Sequence, residues 1–362
     1  MRSSGMSLLT SLQTSPPATV CLLRLSAIGD ACHTLAVLRT LQAAWPSTRF
    51  TWIIGALEHK LMRLVPDVEF ISYRKQGGLA ELGRLRRELR SRRFDVLLHM
   101  QLAFRASIIS SMVRASVKLG FDRPRARELQ WLFTTHRIHA AGNQHVQDAL
   151  FGFAEALGVH DRKLEWNVPL PPAALAYAER LIPDSRPTLV ISGCSSHVLR
   201  NWRPEFYAAI AEHASRVHGM RVILCGGPGP VERAMADAIG RAAAVPLTDQ
   251  VGKDTLPELL ALLARADVLL SPDSGPAHMA TMVGTPVIGL YAATNSIRTG
   301  PYLSRSHCVD RYAEATRIFL GKEPEQMNWS TKVEVPGVMD LITPAAVTAK
   351  LDALMRQAHR RR

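Results

Sequence analysis

Cysteine is scarce in this 362-residue chain, and its arrangement does not suit a disulfide framework. The five cysteines are odd in number, and no two of them have Cys-x-x-Cys spacing. Most of them lie in apolar runs, which is typical of buried thiols in a reducing cytosol. We therefore expect a cytoplasmic protein with unpaired, buried cysteines.

Targeting and membrane-spanning segments are also lacking. Residues 1–18 are rich in Ser, Thr and Pro, and they have neither the basic start nor the apolar segment of a signal peptide. No apolar run reaches the roughly 18 residues needed to cross a bilayer. The pattern predicts a soluble chain with a disordered segment at 1–18.

The dinucleotide fingerprint Gly-x-Gly-x-x-Gly does not occur, but the start of the chain still has a strand, a loop and a helix in that order. The strand is predicted at Val20–Leu25 and the helix from Ala31 to about Ala44. Asp30 lies between them, at the carboxyl end of the strand, where open α/β sheets bind ligands. The spacing also allows a helix N-cap role for Asp30.

Length and proline distribution indicate two α/β domains. A chain of this size is too long for one ordinary core, and strands alternate with helices in both halves. Five prolines lie between Asn167 and Pro187, which is typical of a linker. We predict domains at 19–175 and 185–340, followed by a terminal helix at 343–356.

Positive charge is concentrated in the first half. The chain has a net charge of +13, and residues 74–137 hold fifteen Lys and Arg against five Asp and Glu. An Arg-rich helix is predicted at 83–93, with leucines on one face. A solvated helix face is the plain interpretation, and an anionic membrane surface or acidic acceptor is the functional one. Nucleic acid is disfavoured because the stretch lacks interleaved aromatic residues.

Residues 266–294 predict an anion-binding element in the second half. A buried strand is predicted at Ala266–Ser271, and the segment Pro272–Pro276 stops it and opens a short helix, so backbone amides at the helix start are available to a phosphate. Gly275 allows close approach, and Ser274 and His278 add donors. A simple helix cap after a core strand is the alternative.

Taken together, these segments resemble glycosyltransferase family 9, and within it the heptosyltransferases of the lipopolysaccharide inner core. The matching stretches are LRLSAIGDACHT, the loop from Ser192 to Phe206, CGGPGP, VGKDTLPELLALL and SPDSGPAHMATMVGTPVIGLY. The resemblance spans roughly 20–354. It implies an α/β fold of the GT-B type, with two facing Rossmann-like domains of parallel strands and a C-terminal helix that packs on the first domain.

The resemblance also implies the donor site. Asp273 would hold hydroxyls of the transferred sugar, and Arg200 stands where relatives have a phosphate-binding lysine, with Arg203 as the other candidate. The remaining donor residues implied are Ser195, Ser196, Ser274, Gly275 and His278 for phosphate, and Glu232, Gly252, Thr255 and Leu256 for the nucleotide. Capping of the following helix by Asp254 or Thr255 is the alternative for that last segment.

No Asp-x-Asp metal pair occurs, so protein donors must replace a cation at the leaving diphosphate. We therefore expect no cofactor and no required metal. By resemblance, Asp30 is the general base of an inverting transfer. The implied acceptor residues are His33, Arg84, Arg87, Arg105, Arg123, Arg125 and Arg127, with a helix-cap role as the alternative for His33.

The function expected from this resemblance is transfer of L-glycero-D-manno-heptose from ADP-heptose to Kdo on lipid A. The enzyme would be a monomer at the cytoplasmic face of the inner membrane, with no nucleic-acid partner. The alternatives are a second-heptose transferase or another family 9 transferase and, from other classes, a GT-B epimerase or a non-catalytic nucleotide or anionic-lipid binder.

Overall fold

The computed structural model describes residues 15–361 and divides into two compact units, with the boundary after Pro169. Both predicted α/β domains are present, and the boundary lies in the predicted proline-rich linker. Residues 1–14 of the predicted disordered segment lie outside the described residues. The last part of that segment is structured, because the Pro17 carbonyl accepts a 2.6 Å hydrogen bond from Thr48 and the Ala18 carbonyl accepts one of 2.9 Å from Arg49.

The first unit is a six-stranded parallel sheet in the order β3-β2-β1-β4-β5-β6. Its strands are apolar runs because helices cover both faces of such a sheet. The strands are β1 Thr19–Leu23, β2 Arg49–Gly55, β3 Val68–Tyr73, β4 Phe94–His99, β5 Ala115–Gly120 and β6 His136–Arg137. The helices are α1 Ile28–Ala44, α2 Ala56–Met62, α3 Gly78–Leu89, α4 Phe104–Met112 and α5 Val146–Ala156, with short 3₁₀ helices at Lys75–Gly77 and Gln130–Leu132.

The second unit repeats the same plan, with the order β12-β11-β10-β7-β8-β9 and all strands parallel. The strands are β7 Thr188–Ser192, β8 Arg221–Cys225, β9 Thr248–Asp249, β10 Val268–Pro272, β11 Val287–Tyr291 and β12 Val309–Asp310. The helices are α6 Pro172–Leu181, α7 Pro204–His218, α8 Pro230–Ala242, α9 Leu256–Arg265, α10 Gly275–Met282, α11 Ser296–Thr299, α12 Tyr312–Ala315 and α13 Pro344–Arg361. Short 3₁₀ helices lie at Val198–Arg200, Arg305–His307, Pro324–Gln326 and Val338–Leu341, and a π-helical turn at Thr316–Leu320 follows α12.

Each sheet has one point where the strand order reverses, between β1 and β4 in the first unit and between β7 and β10 in the second. Ligands of open parallel sheets bind outside the carboxyl ends of the strands at such a point. A ligand site is therefore expected at the loops that follow these four strands.

The terminal helix α13 packs against the core of the second unit, and its packing on the first domain stays a prediction. Val347, Leu351 and Met355 are buried in the core that also contains Trp202. The Trp202 indole donates a 2.9 Å hydrogen bond to the Ile342 carbonyl, just before the helix begins. The amphipathic pattern of α13 predicted an apolar face but could not identify the surface that face would contact.

All five cysteines are buried and unpaired, as predicted. Burial raises the pKa of the Cys194 thiol to about 11, which keeps it protonated and unreactive at neutral pH. Within residues 15–361, no helix is long and apolar enough to cross a membrane.

The position of α13 makes a stability prediction. Leu351 is 0% exposed, so Leu351→Ala should lower the free energy of unfolding by about 2–5 kcal/mol through lost burial and a cavity. The matched control is Leu175→Ala on α6, where half of the leucine is exposed. Urea unfolding followed by tryptophan fluorescence measures both, and equal losses would show that the core does not include α13.

Candidate active site

In the first unit, the loop after β1 places a basic and an acidic side chain together. Asp30 lies in the first turn of α1. Its Oδ2 accepts a 3.2 Å hydrogen bond from the Ala27 amide and also forms an ion pair with Arg24. Arg24 also donates to the Met100 carbonyl at the end of β4. Within the described residues, both Asp30 contacts use Oδ2, which leaves Oδ1 available to a ligand. The carboxylate both closes the start of the helix and faces the switch point, so the two interpretations of Asp30 are compatible.

Two glutamines hold this loop in place. The Gln101 side chain accepts hydrogen bonds from the Leu25 and Ser26 amides, at 2.6 and 3.3 Å. Gln130, which is fully buried, donates to the His99 and Gln101 carbonyls at 2.8 and 3.1 Å. Neither glutamine was singled out in the sequence, because the partners are about 30 to 76 positions away along the chain.

A groove of about 700 Å³ opens beside this loop. Ser26 and Gln101 line it at the switch point, and Lys75 and Arg105 line it with exposed positive charge. Exposed apolar side chains also border it, with Leu79 86% and Phe104 46% exposed. The groove can therefore accept a ligand that combines anionic groups with apolar surface.

The arginines predicted to bind the acceptor have different surroundings. Arg105 lines the groove, while Arg87 and Arg127 are exposed elsewhere on the unit. Arg84 is paired with Glu81 and with Glu88. The structure therefore brings one of these six arginines to the groove and engages Arg84 in ion pairs of its own helix.

The other two predicted arginines are also engaged locally. The Arg123 guanidinium lies 3.9 Å from the centre of the Trp131 ring, and Arg125 pairs with Asp122. His33 is only 4% exposed, and its Nδ1 is 2.7 Å from the Gln147 side-chain oxygen, on α5. This contact occupies one of the two ring nitrogens of His33.

In the second unit, the anion-binding element forms at the end of β10. Ser274 is the N-cap residue of α10, and its Oγ lies 2.7 Å from the Ser271 Oγ. Gly275 begins the helix, and His278 follows on its first turn, 8% exposed. The amides at the start of this helix and its dipole favour a negatively charged ligand.

Arg200 lies across the switch point from this helix. Its Nη1 is 3.5 Å from the Asp273 Oδ2, and its Nε and Nη2 are 2.8 and 2.7 Å from the Glu334 Oε1. Although burial alone would raise the pKa of Glu334, the hydrogen bonds and charge of Arg200 hold that pKa below its ordinary value. Ser195 ties the two loops together, because its hydroxyl donates a 2.6 Å hydrogen bond to the Asp273 carbonyl. Ser196, next along, is exposed.

Arg203 has different neighbours. It forms a two-bond ion pair with Asp340 and its side chain is 58% exposed, whereas the Arg200 side chain is 11% exposed. Of the two arginines, Arg200 therefore has the position suited to a ligand at the switch point. Glu334 was missed in the sequence, since it lies 134 residues from Arg200 in a segment without regular structure.

The loops after β8 and β9 bring the predicted nucleotide residues together. Glu232, in the first turn of α8, lies over the Gly226–Gly229 turn so closely that a Cβ at Gly227 would be 2.7 Å from its carboxylate. Gly252 has φ +75°, and its amide donates to the Gly226 carbonyl at 2.9 Å. Thr255 is the N-cap residue of α9: its amide donates to the Glu258 carboxylate, and its hydroxyl accepts from the Glu258 amide. The Thr255 side chain therefore has the alternative role, capping of the helix. Leu256 is the next residue and begins α9.

Asp254 is an ionisable group in the same turn. Its Oδ2 is buried and has no hydrogen-bond partner among the side chains of residues 15–357 or the described backbone. Burial raises the pKa of this carboxyl to about 7, with further contributions from Glu258 and Glu232. The sequence suggested only a capping role, since burial of a loop aspartate depends on the packing of distant segments.

The family model and the similar proteins found by comparison are all described as heptosyltransferases. A family model described as "Glycosyltransferase family 9 (heptosyltransferase)" matches residues 82–327. The lipopolysaccharide core heptosyltransferase OpsX of Haemophilus influenzae is 39% identical over 343 residues, which cover 95% of this chain and 99% of that protein. Lipopolysaccharide heptosyltransferase 1 of Pseudomonas aeruginosa is 26% identical over 364 residues, covering 93% and 98%.

Solved structures agree on the fold. The structure of a glycosyltransferase family 9 protein from Veillonella parvula matches with a TM-score of 0.77 at 20% identity, covering 94% of this chain and 97% of that one. The Escherichia coli heptosyltransferase WaaC with ADP matches with a TM-score of 0.72 at 20% identity, covering 93% and 99%. The predicted α/β fold of the GT-B type, with two Rossmann-like units, is confirmed.

The buried carboxyl of Asp254 predicts a pH effect on stability. Its pKa rises from 3.8 to about 7 on folding, so the folded state binds more protons and loses stability as the pH rises between these values. Asp254→Asn should therefore stabilise the protein more at pH 8 than at pH 5, by roughly 1–2 kcal/mol after allowance for partial exposure. Urea unfolding at both pH values measures this, with Asp161→Asn, at an exposed site, as the control. An equal effect of Asp254→Asn at the two pH values would contradict it.

Proposed function

Because the chain belongs to glycosyltransferase family 9 and is an enzyme of the heptosyltransferase class, we propose that it transfers L-glycero-D-manno-heptose from ADP-heptose to the Kdo residue of a Kdo–lipid A acceptor. This step adds a heptose to the inner core of lipopolysaccharide. The relatives' names support heptose as the sugar class. The residues at the switch point of the second unit support the choice of donor, and those at the switch point of the first unit support the choice of acceptor; these two groups of residues are called the half-sites.

The observation that carries the proposal is the position of Arg200 beside Asp273 at the β7/β10 switch point. A sugar diphosphate needs a cationic group for its phosphates and a hydrogen-bond acceptor for its hydroxyls. Arg200 supplies the first, together with Ser195, Ser274 and the amides at the start of α10. Asp273 supplies the second. The glycine turn at 226–229 and the loop around Gly252 take the nucleotide, with Glu232 at the ribose.

The first unit supports the acceptor half. Asp30 has one carboxylate oxygen held by Arg24 and Ala27 and the other available to a hydroxyl. The neighbouring groove combines Lys75 and Arg105 with apolar surface, which suits an acidic sugar on a phosphorylated lipid. Exposed arginines elsewhere on this unit add attraction to an anionic membrane surface. We place the enzyme, as a monomer, at the cytoplasmic face of the inner membrane.

The reaction follows from these roles. The Asp30 carboxylate takes the proton of the acceptor hydroxyl, whose oxygen forms a bond to the anomeric carbon of the heptose. The bond from that carbon to the diphosphate oxygen breaks, and ADP leaves with the electron pair. Attack opposite the leaving group inverts the anomeric centre. Arg200 and the helix amides stabilise the charge on the diphosphate, and the chain has no Asp-x-Asp pair to hold a metal there, so the transfer proceeds without one.

The direct test combines the purified protein with ADP-heptose and Kdo–lipid A in EDTA. ADP release and the mass of the lipid are followed together. We expect stoichiometric ADP release and a mass gain of one heptose. No mass gain by a folded protein would exclude the proposed acceptor, and transfer only to an already heptosylated lipid would assign the second-heptose step. Donor turnover without acceptor would favour an epimerase or hydrolase.

Alanine variants of Arg200 and Arg203 test which of the two arginines binds the donor phosphate. Arg200→Ala should weaken ADP binding by about 10- to 100-fold, since a charge-assisted contact with phosphate contributes about 1.5–3 kcal/mol. Arg203→Ala should change it less than about threefold, because its charge is already paired with Asp340 at an exposed position. Calorimetric titration with ADP measures both, and a larger effect of the Arg203 variant would reverse the assignment.

Asp30→Asn tests the base. It keeps the size of the side chain but removes its capacity to take a proton, so kcat should fall by about 10²- to 10⁴-fold while the KM for ADP-heptose changes little. Asp161→Asn, at a side chain 82% exposed in the same unit, should behave as wild type. An Asp30→Asn enzyme with at least a third of wild-type kcat would remove Asp30 from the chemistry.

A further inference from the structure

Two histidines and an aspartate converge away from the proposed site. The Nε2 atoms of His213 and His218 on α7 each lie 2.7 Å from the Oδ1 of Asp352 on α13. The three potential ligand atoms are within 4.8 Å of one another, and the two imidazole centroids are 5.4 Å apart. Among the side chains that the structure describes, residues 15–357, this is the only group of three His, Cys, Asp or Glu with such spacing.

The local fold explains why the side chains meet. His218 is the last residue of α7, and Gly219 after it has φ +62°, so the helix stops and the His218 ring borders its final turn. On α13, Leu351 is buried in the core, which turns its neighbour Asp352 toward α7. The three side chains are 14–27% exposed. They are restrained by packing but remain accessible from solvent.

We propose that His213, His218 and Asp352 bind a divalent cation of the zinc class. Two imidazole nitrogens and one carboxylate oxygen are ligands that zinc accepts, with water in the fourth position. Zinc bonds of about 2.0–2.2 Å in tetrahedral geometry separate neighbouring ligand atoms by roughly 3.3 Å. The 2.7 Å contacts therefore need to open by roughly 0.6 Å, which side-chain torsions of these partly exposed groups allow.

The position of the cluster defines what the cation does. A helix between parallel strands carries the chain from the carboxyl end of one strand to the amino end of the next. The last turn of α7 is therefore at the edge of the sheet opposite the loops that follow β7 and β10. A cation there joins α13 to α7 and does not contact the donor. Its loss should leave metal-independent transfer intact, so this proposal and the proposed function can fail separately.

The test uses the full chain, purified with a tag that contains no histidine, treated with EDTA and then dialysed free of it. Titration with Co²⁺ is followed by visible absorption, since tetrahedral cobalt gives intense d–d bands. We expect saturation at one equivalent per chain and displacement by Zn²⁺. His218→Ala and Asp352→Asn should each weaken binding at least tenfold. His160→Ala, at an exposed histidine of the first unit, should have no effect.

We expect Asp352→Asn to remain folded, because the amide has the volume of the carboxylate and still accepts a hydrogen bond. Weaker metal binding by this variant would therefore not result from unfolding. Circular dichroism establishes that the variant is folded. In the wild type, Zn²⁺ at ten times its dissociation constant should raise Tm by about 2–4 °C, and this rise should be absent in Asp352→Asn. No saturable binding, or binding that both cluster variants leave unchanged, would show that the cluster is only a hydrogen-bonded contact between two helices.

Discussion

Arg200 is held between two carboxylates, and the arrangement of the donor half of the molecule depends on that contact. A guanidinium that is 11% exposed requires counter-charge, since an unpaired charge at such a position is strongly unfavourable. Glu334 and Asp273 provide it from two segments far apart in the chain. The loop after β7, the loop after β10 and the irregular segment before α13 are thereby fixed together at the switch point. In the proposed function, the diphosphate of the donor would replace Glu334 as the partner of this guanidinium.

In the first unit, too, a charged side chain is held by a partner of opposite charge, but the held group is a carboxylate. There the carboxylate of Asp30, the proposed base, is ion-paired with Arg24, which also binds the Met100 carbonyl at the end of β4. In both units a charged group after a strand is paired locally, and an arginine links the pair to the end of the neighbouring strand, through Arg24 and Met100 in the first unit and through Arg200 and Asp273 in the second. The repeated strand order explains why, because it creates one reversal point in each sheet.

Much of this was predictable. Buried parallel strands are short apolar runs, so their positions and the two-domain division followed from the pattern. The residues at strand ends followed from the family's motifs, and Arg200 and Asp273 do lie together. Arg24, Gln101, Glu334 and Asp254 were not predicted as site residues, since their importance comes from contacts that local sequence does not encode. The same limit applies to the arginines of the first half, where Arg105 borders the groove and Arg84 pairs with glutamates on its own helix.

We propose that the protein itself, and not a metal, supplies the positive charge at the diphosphate. A crystal structure of the chain with ADP, grown in EDTA, measures this most directly. We expect the Arg200 guanidinium within hydrogen-bond distance of a phosphate oxygen, with the phosphates at the start of α10 and no metal between them. A structure in which Arg200 remains bound to Glu334 while other groups hold the phosphates would contradict it.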